Sequence, residues 1–543
     1  MPTAKPSVAG FIRRGLLPDN VPPLLSSKEL VDPTIGDAST YSVTQEITGQ
    51  ACPFNASKRG FQRREFSLPH PVFTRDAAVF FRKHSGALEA HFAKARGSAS
   101  APNFTETRTR ALQFTPHSKL PALRLRSLAK YRYCLVTDVS RCFPSIYTHS
   151  IPWALHGKSA SKKDRKTTSA KVFGNRLDYI VRQSQDGQTT GVPVGPDHSR
   201  VIAEIVLSAV DANFQRGAGD EGFLRHVDDF WIGGTSSAVC EDKLHQLRRS
   251  LSEFSLDVNE HKTRIIPTSS IIAETWPYDL EAQLEDALEL DATRYEARIV
   301  SLLGSIVELA SKSQDDGIVK FFLRRIDVWE KWDDYWDVLE PFLAHCGVQF
   351  PHSFDYVAQI IAWRARTDRE YDRPLWSDVT RNVVQAAGTG GRDAEALWGL
   401  WLAKELELKL SVKTYDTMID SNGPLIAAVL AHFVERGLVR GKPILSELWG
   451  MVEGRPISGA DWPLSLELNK LEVPVPASID LGGPEALKSI FDAQASLIDW
   501  NAHPGAFIDN DDGFDPNPSS AIEASGSGYE DDEEGGEDDD VPF

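Results

Sequence analysis

The sequence has no apolar run of the ~20 residues that a membrane span requires. Residues 1–20 have no apolar core of signal-peptide length either, so we expect a cytoplasmic protein with no membrane contact. The five cysteines are scattered without CxxC spacing, which argues against a zinc site and a disulfide framework. Hydrophobic residues make up 41% of the chain and charged residues 25%, which is typical of a globular protein with a sizeable core.

Lysine and arginine are absent from Asp509 to the end of the sequence, where 14 acidic residues occur. The whole chain carries −18, so the part before this segment carries only −4. A near-neutral body can still hold a basic channel, because the local potential matters more than the sum. We expect residues 508–543 to be a disordered acidic tail, either a solubilising end or an autoinhibitory mimic of nucleic acid.

The rest of the chain divides into four predicted segments. Residues 1–60 form an extension rich in Pro, Ser and Thr, and residues 61–130 carry many basic groups. Residues 131–270 show the clearest alternation of strand and helix patterns. Residues 275–505 are helical almost throughout, with short polar breaks, which predicts an α-helical repeat or bundle whose tryptophans pack in the core.

Within residues 131–270 the order of patterns predicts a small antiparallel sheet backed by helices. YRYCLVTDVS is typical of a strand, and the turn GVPVGP precedes a stretch whose apolar residues recur at helical spacing. FLRHVDDFWIGG predicts two short strands around a tight acidic turn. An amphipathic helix starting at Ser236 or Ser237 follows, and then SLDVN and KTRIIP as strands or strand edges.

Three carboxylates suggest metal chemistry. Asp138 ends an apolar strand, and Asp228 and Asp229 lie in the acidic turn. Nucleotidyl transfer needs two divalent cations ~4 Å apart, and hard oxygen ligands suit Mg²⁺. An Asp–Asp pair alone is more often a solvated turn. This pair is flanked by apolar strands and lies downstream of a strand-end aspartate, where it is costly without cations.

The ordered set TDVSRCF, GVPVGPDHSRVIAEI, RHVDDF and LDVNEHKT resembles motifs A to D of a reverse-transcriptase palm. The residues in these motifs are similar to those of bacterial abortive-infection and defence-associated reverse transcriptases, the unknown-group enzymes. The resemblance implies an α+β right-hand polymerase with fingers (61–130) and a palm (131–270) built on a ferredoxin-like antiparallel sheet with helices. An all-α helical-repeat domain (275–505) would follow in place of a thumb.

The resemblance also implies roles for single residues. Asp138 and Asp228 would be direct ligands of two Mg²⁺ or Mn²⁺ ions, with Asp229 supporting them and the Val139 carbonyl adding a contact. Lys262 would donate a proton to the leaving pyrophosphate. The residues expected to contact the incoming nucleotide are Phe143 as a gate under the sugar, the motif B turn residues Gly191, Pro193 and Gly195, and Arg64 of the fingers.

Contacts with nucleic acid are expected from basic residues around motif B. Arg200 could reach a phosphate or pair with Glu204. Residues 158–171 carry six Lys or Arg against one Asp, including Lys162, Lys163 and Lys166, and form either a phosphate contact or a mobile loop. Two departures from ordinary reverse transcriptases are His226, two places before the Asp pair, and Val194 in the motif B turn.

The sequence therefore predicts an RNA-directed DNA polymerase that joins dNTPs in antiphage defence. The resemblance leaves open whether synthesis is templated by RNA or DNA, uses a partner non-coding RNA, is template-independent or is primed by the protein itself, and whether the chain forms a homo-oligomer. One alternative is an RNA-dependent RNA polymerase, against which Phe143 argues. The other is an inactive palm that binds nucleic acid.

Overall fold

The computed structural model describes residues 5–502 apart from several short gaps. The gaps are residues 19–20, 37, 43–46, 58–61, 106–109, 220, 273–275, 289–294, 314, 329–331 and 442. The predicted acidic tail, 508–543, lies outside the described residues.

The first 130 residues form helices and two small hairpins. The helix α1 begins after Ser7, whose side chain accepts from the Gly10 N–H and so caps the helix. The strands β1 and β2 pair antiparallel, as do β3 and β4. The bounds are α1 Val8–Gly15, α2 Val31–Ile35, β1 Cys52–Ser57, β2 Arg63–Leu68, α3 Pro71–Lys83, α4 Ser85–Phe92, β3 Asn103–Phe104, β4 Leu112–Gln113 and α5 Leu120–Leu128.

Residues 131–272 contain a four-stranded antiparallel sheet with the strand order β6-β7-β5-β8, which confirms the predicted antiparallel sheet backed by helices. One face carries Leu135, Phe230 and Ile232 in the main core, and the other carries Cys134 and Trp231 in a second cluster. The bounds are β5 Tyr133–Thr137, α6 Cys142–Ser145, α7 Ser150–His156, α8 Lys158–Lys163, α9 Gly174–Gln183, α10 Asp197–Ala218, β6 Phe223–His226, β7 Asp229–Gly234, α11 Ser237–Ser252, β8 Arg264–Pro267 and α12 Thr268–Ile272.

The two long helices of this region follow their sequence patterns. The helix α11 is capped by Ser236, whose side chain accepts from the Val239 N–H, and its stripe of Cys240, Leu244 and Leu247 is buried. The helix α10 packs along α11 and is buried over most of its length, which explains its many apolar residues. Both support the sheet from the main-core side.

From Trp276 onward the described residues are helical, with no strand among them. Their bounds are α13 Trp276–Leu288, α14 Tyr295–Ser313, α15 Gly317–Val328, α16 Trp336–Gln349, α17 Phe354–Arg366, α18 Arg373–Thr389, α19 Asp393–Glu405, α20 Val412–Ser421, α21 Pro424–Glu435, α22 Trp462–Lys470 and α23 Glu485–Asp492. Several tryptophans predicted to pack between helices are buried, including Trp332, Trp398 and Trp401.

These helices contact the first hairpin. The Asp393 carboxylate accepts from the backbone and side-chain N–H groups of Asn55 on β1 at 3.0 and 2.9 Å, and Glu395 binds Arg63 on β2. The indole of Trp462 donates to the Leu68 carbonyl. The second half of the chain is thereby attached to the part that precedes the sheet.

None of the helices that the structure describes is both long and apolar enough to cross a membrane.

Candidate active site

Asp138 follows β5, an inner strand of the sheet, and its side chain is only 3% exposed. The backbone at this point is fixed by two hydrogen bonds. The Asn259 N–H donates to the Asp138 carbonyl at 2.9 Å, and the Ser140 N–H donates to the Asp257 carbonyl at 3.0 Å. A rigid buried element therefore presents this carboxylate.

Asp228 lies in the turn between β6 and β7. His226 pairs with Asp229, so Val227 and Asp228 form a two-residue turn. Val227 adopts the left-handed conformation with φ of 52°, which is unusual for a β-branched residue. Asp228 is 4% exposed and Asp229 is partly exposed at the start of β7.

The register of the sheet brings the three carboxylates to one end. Thr137 at the end of β5 pairs with Phe230 on β7. The next position along each strand places Asp138 opposite Asp229, with Asp228 adjacent in the turn. Residues directly opposite each other in an antiparallel pair have their side chains on the same face, so Asp138 and Asp229 share a face of the sheet.

Burial raises the pKa of Asp228 well above its usual value, because its charged form is removed from water. The negative charges of Asp229 and Asp138 raise this pKa further, and Lys262 lowers it. These influences require the groups to be close together. Without a cation, the cluster therefore holds its negative charge at a cost in free energy.

The residues present fit a divalent cation by chemistry. Aspartate oxygens are hard ligands of the kind that Mg²⁺ prefers, and a bound cation would offset the mutual repulsion of the carboxylates. Within the described residues, no three His, Cys, Asp or Glu side chains already stand as a metal-ligating group.

Lys262 lies beside the carboxylates, as its predicted role requires. Its Nζ is 3.1 Å from Oδ2 of Asp138. It ends a 3₁₀ turn that Asn259 caps, and the Thr263 hydroxyl contacts that of Thr137 at 2.8 Å. The turn after α11 is thus tied to the end of β5.

Replacing Lys262 with Met should lower kcat by about 100-fold or more with little change in the KM for dNTP, because general-acid catalysis typically contributes 10²–10⁴-fold. Steady-state incorporation kinetics measure this. Arg248→Met is the control, since Arg248 forms an exposed ion pair with Glu260 in the same turn at 2.6 Å. An unchanged kcat in Lys262→Met would refute the proton-donor role.

Val139 is fully buried and bridges to Val258. The two hydrogen bonds beside this bridge use the Asp138 carbonyl and the Ser140 N–H, not the Val139 carbonyl. Its part in metal binding stays a prediction.

Phe143 lies in α6, and its side chain is 1% exposed within the main core. Its carbonyl accepts from the Val192 N–H at 3.0 Å, which links motif A to the motif B turn. This placement is that of an aromatic residue packed in the core, and a sugar would meet the ring only if the surrounding side chains moved. The gate role stays a prediction.

Phe143→Val separates the two roles. As a gate, the variant should incorporate NTPs on the order of tenfold better relative to dNTPs, because ~1–3 kcal/mol is the usual worth of a small shape change in a pocket. As a core residue, it should only lower stability. Competition between matched dNTP and NTP measures the ratio. Phe214→Val, in the buried part of α10, is the control for destabilisation alone.

The motif B turn has the backbone that its glycines predict. Gly191 and Gly195 have φ of 88° and 115°, values that L side chains rarely adopt. The Gly191 N–H donates to the Ile146 carbonyl, and the Ser67 N–H donates to the Val194 carbonyl at 3.0 Å. Pro193 is buried between them. The turn therefore joins motif A to β2.

The predicted basic contacts lie around this core. Arg64 on β2 is partly exposed, with its guanidinium 6.0 Å from the Phe66 ring centroid. Arg200 is 3.7 Å from Asp197, whereas Glu204, its suggested partner, binds Arg225. The remaining predicted contacts, Lys162, Lys163 and Lys166, are exposed in and after α8.

Sequence reasoning missed two arginines that pair with buried carboxylates. Arg225 on β6 is 0% exposed and binds Glu204 and Asp211 of α10. Arg110 hydrogen-bonds the Gly195 carbonyl and forms an ion pair with the fully buried Asp197 at 2.5 Å. The only sequence signal for the first was a charged residue inside an apolar strand.

Residues 82–304 match the family model described as reverse transcriptase (RNA-dependent DNA polymerase). This range contains every predicted site residue except Arg64. No curated protein matches the chain significantly.

Solved structures with some similarity include three yeast telomerases. The apo telomerase of Candida tropicalis truncated from its C-terminal domain is 15% identical with a TM-score of 0.27, covering 42% of this chain and 52% of the telomerase. The Candida albicans telomerase in complex with a fragment of telomeric RNA is 13% identical (TM-score 0.26; 68% of each chain), and the apo Candida tropicalis telomerase is 11% identical (0.30; 70% and 69%). These TM-scores are below the level of a shared overall fold.

The match to the family model and the antiparallel sheet with its helices agree with the motifs at Asp138, Gly191–Gly195 and Asp228–Asp229. Residues 82–304 therefore resemble a reverse-transcriptase domain, and this match supports an enzyme of the RNA-directed DNA polymerase class.

Proposed function

We propose that the chain joins dNTPs by two-metal nucleotidyl transfer, with Asp138 and Asp228 as the principal ligands of two Mg²⁺ ions and Asp229 as a supporting ligand. The observation that carries this proposal is the burial of Asp228 beside two other carboxylates, which raises its pKa and favours a bound cation.

The chemistry follows from these positions. Bound cations would lower the pKa of the 3′-hydroxyl, whose proton passes to water, and would offset the negative charge of the triphosphate. The 3′-oxygen forms a bond to the α-phosphorus, the bond to the bridging oxygen breaks, and pyrophosphate leaves. Lys262 donates a proton to that pyrophosphate. It contacts Asp138 in this structure, so a cation on Asp138 competes with it for the same carboxylate.

We further propose that the enzyme belongs to the bacterial defence-associated reverse transcriptases. The residues of the motifs support this assignment, among them Val194 in the motif B turn. The helices after Trp276 support it as well. In this proposal residues 61–130 are the fingers, 131–270 the palm and 275–505 a helical-repeat domain that replaces the thumb. The partners would be dNTPs and DNA or RNA.

The test is to incubate the purified protein with Mg²⁺ and each labelled dNTP or NTP, with and without added RNA. Incorporation of dNTPs that needs Mg²⁺ supports the proposal. Dependence on added RNA and the product's composition distinguish templated from template-independent synthesis, and covalent attachment to the protein identifies protein priming. Incorporation of NTPs alone would instead favour the RNA polymerase alternative, and nucleic-acid binding without any incorporation would favour an inactive palm.

A further inference from the structure

The turn that presents Asp228 has a disfavoured backbone. Val227, the preceding residue, has φ of 52°. A β-branched side chain crowds the backbone in this region, so Val is among the residues least suited to it. Such conformations persist only where the surrounding structure holds them, and they cluster at functional sites. Two groups of contacts hold this one.

Arg225 holds the carbonyl side of the turn. Its Nη1 donates to the Val227 carbonyl at 2.7 Å. The same guanidinium forms a bidentate pair with Glu204, with both N–O distances 2.8 Å, and its Nε donates to Asp211 at 2.9 Å. Glu204 and Asp211 both belong to α10 and are buried. The planar guanidinium therefore joins the turn to the helix that follows motif B.

A second segment holds the amide side of the turn. The Val227 N–H donates to the hydroxyl of Ser100. The backbone beside it pairs with β6, because the Ala99 N–H donates to the Arg225 carbonyl at 2.7 Å and the Arg225 N–H donates to the Gly97 carbonyl at 3.0 Å. Both polar groups of Val227 are thus bound, the amide by a residue distant in the sequence.

We propose that Arg225 is a positioning residue that keeps Val227 in its left-handed conformation, so that Asp228 points toward Asp138, and that it couples this turn to α10. The proposal rests on the proposed function of Asp228 as a metal ligand. Arg225 itself contacts neither the substrate nor a cation in this scheme. It acts through the backbone of the turn, as groups outside the ligand shell do when they orient metal ligands.

Arg225→Met removes the donor to the turn. We expect the Mg²⁺ concentration for half-maximal incorporation to rise about 10- to 100-fold, the usual loss when a group that orients a metal ligand is removed. The rise in Tm on adding Mg²⁺ should shrink as well, which is a readout independent of activity. Arg225→Lys keeps the positive charge between Glu204 and Asp211 but lacks the planar guanidinium group. It replaces Arg225→Met in this test if the Met variant does not fold.

Two variants separate positioning from general stability. Lys320→Met removes a buried cation that binds Asp355 at 2.7 Å, far from the sheet in sequence, and should lower Tm without changing the Mg²⁺ requirement. Val227→Gly needs no support in the left-handed region. In the Arg225→Met background it should restore most of the lost Mg²⁺ affinity.

An unchanged Mg²⁺ midpoint in Arg225→Met, or no recovery in the double variant, would overturn the positioning role while the wild type remains active. A wild-type protein that shows no Mg²⁺-dependent incorporation and no Mg²⁺-dependent rise in Tm would instead overturn the proposed function itself. The two failures are therefore distinguishable.

Discussion

Asp228→Asn should abolish nucleotide incorporation and, in metal-free protein, raise the Tm. Activity should fall on the order of 1,000-fold or more, because the amide oxygen is neutral and a poorer ligand for Mg²⁺ than a carboxylate. Stability should rise because the change removes a buried charge that lies beside Asp229 and Asp138. We expect a rise in Tm of roughly 2–4 °C, the effect of about 1 kcal/mol in a domain of ~150–250 residues.

The raised pKa of Asp228 also predicts how the stability of the metal-free protein changes with pH. The folded-state pKa of Asp228 is raised above its unfolded value. The metal-free wild type should therefore lose stability as the pH rises from the ordinary carboxyl range through that raised pKa. Asp228→Asn should lack this loss. Saturating Mg²⁺ should reverse the order of the two proteins, because only the wild type gains much from binding the cation.

Thermal unfolding in EDTA and in Mg²⁺, at several pH values, measures these effects. Asp242→Asn, an exposed aspartate on α11, is the matched control and should change neither activity nor Tm. A lower Tm for metal-free Asp228→Asn than for the wild type would contradict this prediction. It would show that the Asp228 carboxylate stabilises the folded protein.

The sequence predicted those parts of the sheet and its helices whose patterns are local. The turn at Val227–Asp228 follows from apolar runs on either side of an acidic pair. The helix α17, Phe354–Arg366, lies within the segment 275–505 that the sequence predicts to be helical. The helix α11 begins after Ser236 because a serine there can accept from the first turn. Periodicity and capping act within about one helical turn, so they can be read from the chain alone.

Contacts between distant segments could not be predicted in this way. Nothing in the sequence links Arg225 to Ser98 or Val227 to Ser100, in each case 127 residues earlier. Nor does it link Asn55 on β1 to Asp393. Such pairs depend on how whole elements pack, and each charged residue has many equivalent candidates along the chain. The sequence placed Asp138, Asp228 and Lys262 at one site through their motifs. The cost in free energy of holding these carboxylates together became apparent only from their burial in the structure.

Gly195→Ala should damage both stability and activity. The backbone φ of 115° is strained for alanine, and a Cβ there would lie 2.9 Å from Cγ of Pro18 and 3.2 Å from Cδ1 of Phe66. A residue forced into such a region loses roughly 1–3 kcal/mol of stability. The Gly195 carbonyl also accepts from Arg110 at 3.3 Å, so a shift of the turn would disturb the Arg110–Asp197 pair at the start of α10.

Gly437→Ala separates the backbone strain from the local packing. Gly437 also has a positive φ, 68°, but a Cβ added there would meet no atom of the described residues within 4 Å. Urea unfolding should show a smaller loss for Gly437→Ala, with normal incorporation. In Gly195→Ala, kcat/KM for dNTP should fall about 100-fold, because a displacement of ~1 Å at a reacting site has that effect. Equal activity in the two variants would mean that the motif B turn tolerates displacement and does not position the nucleotide, since the strain alone is common to both.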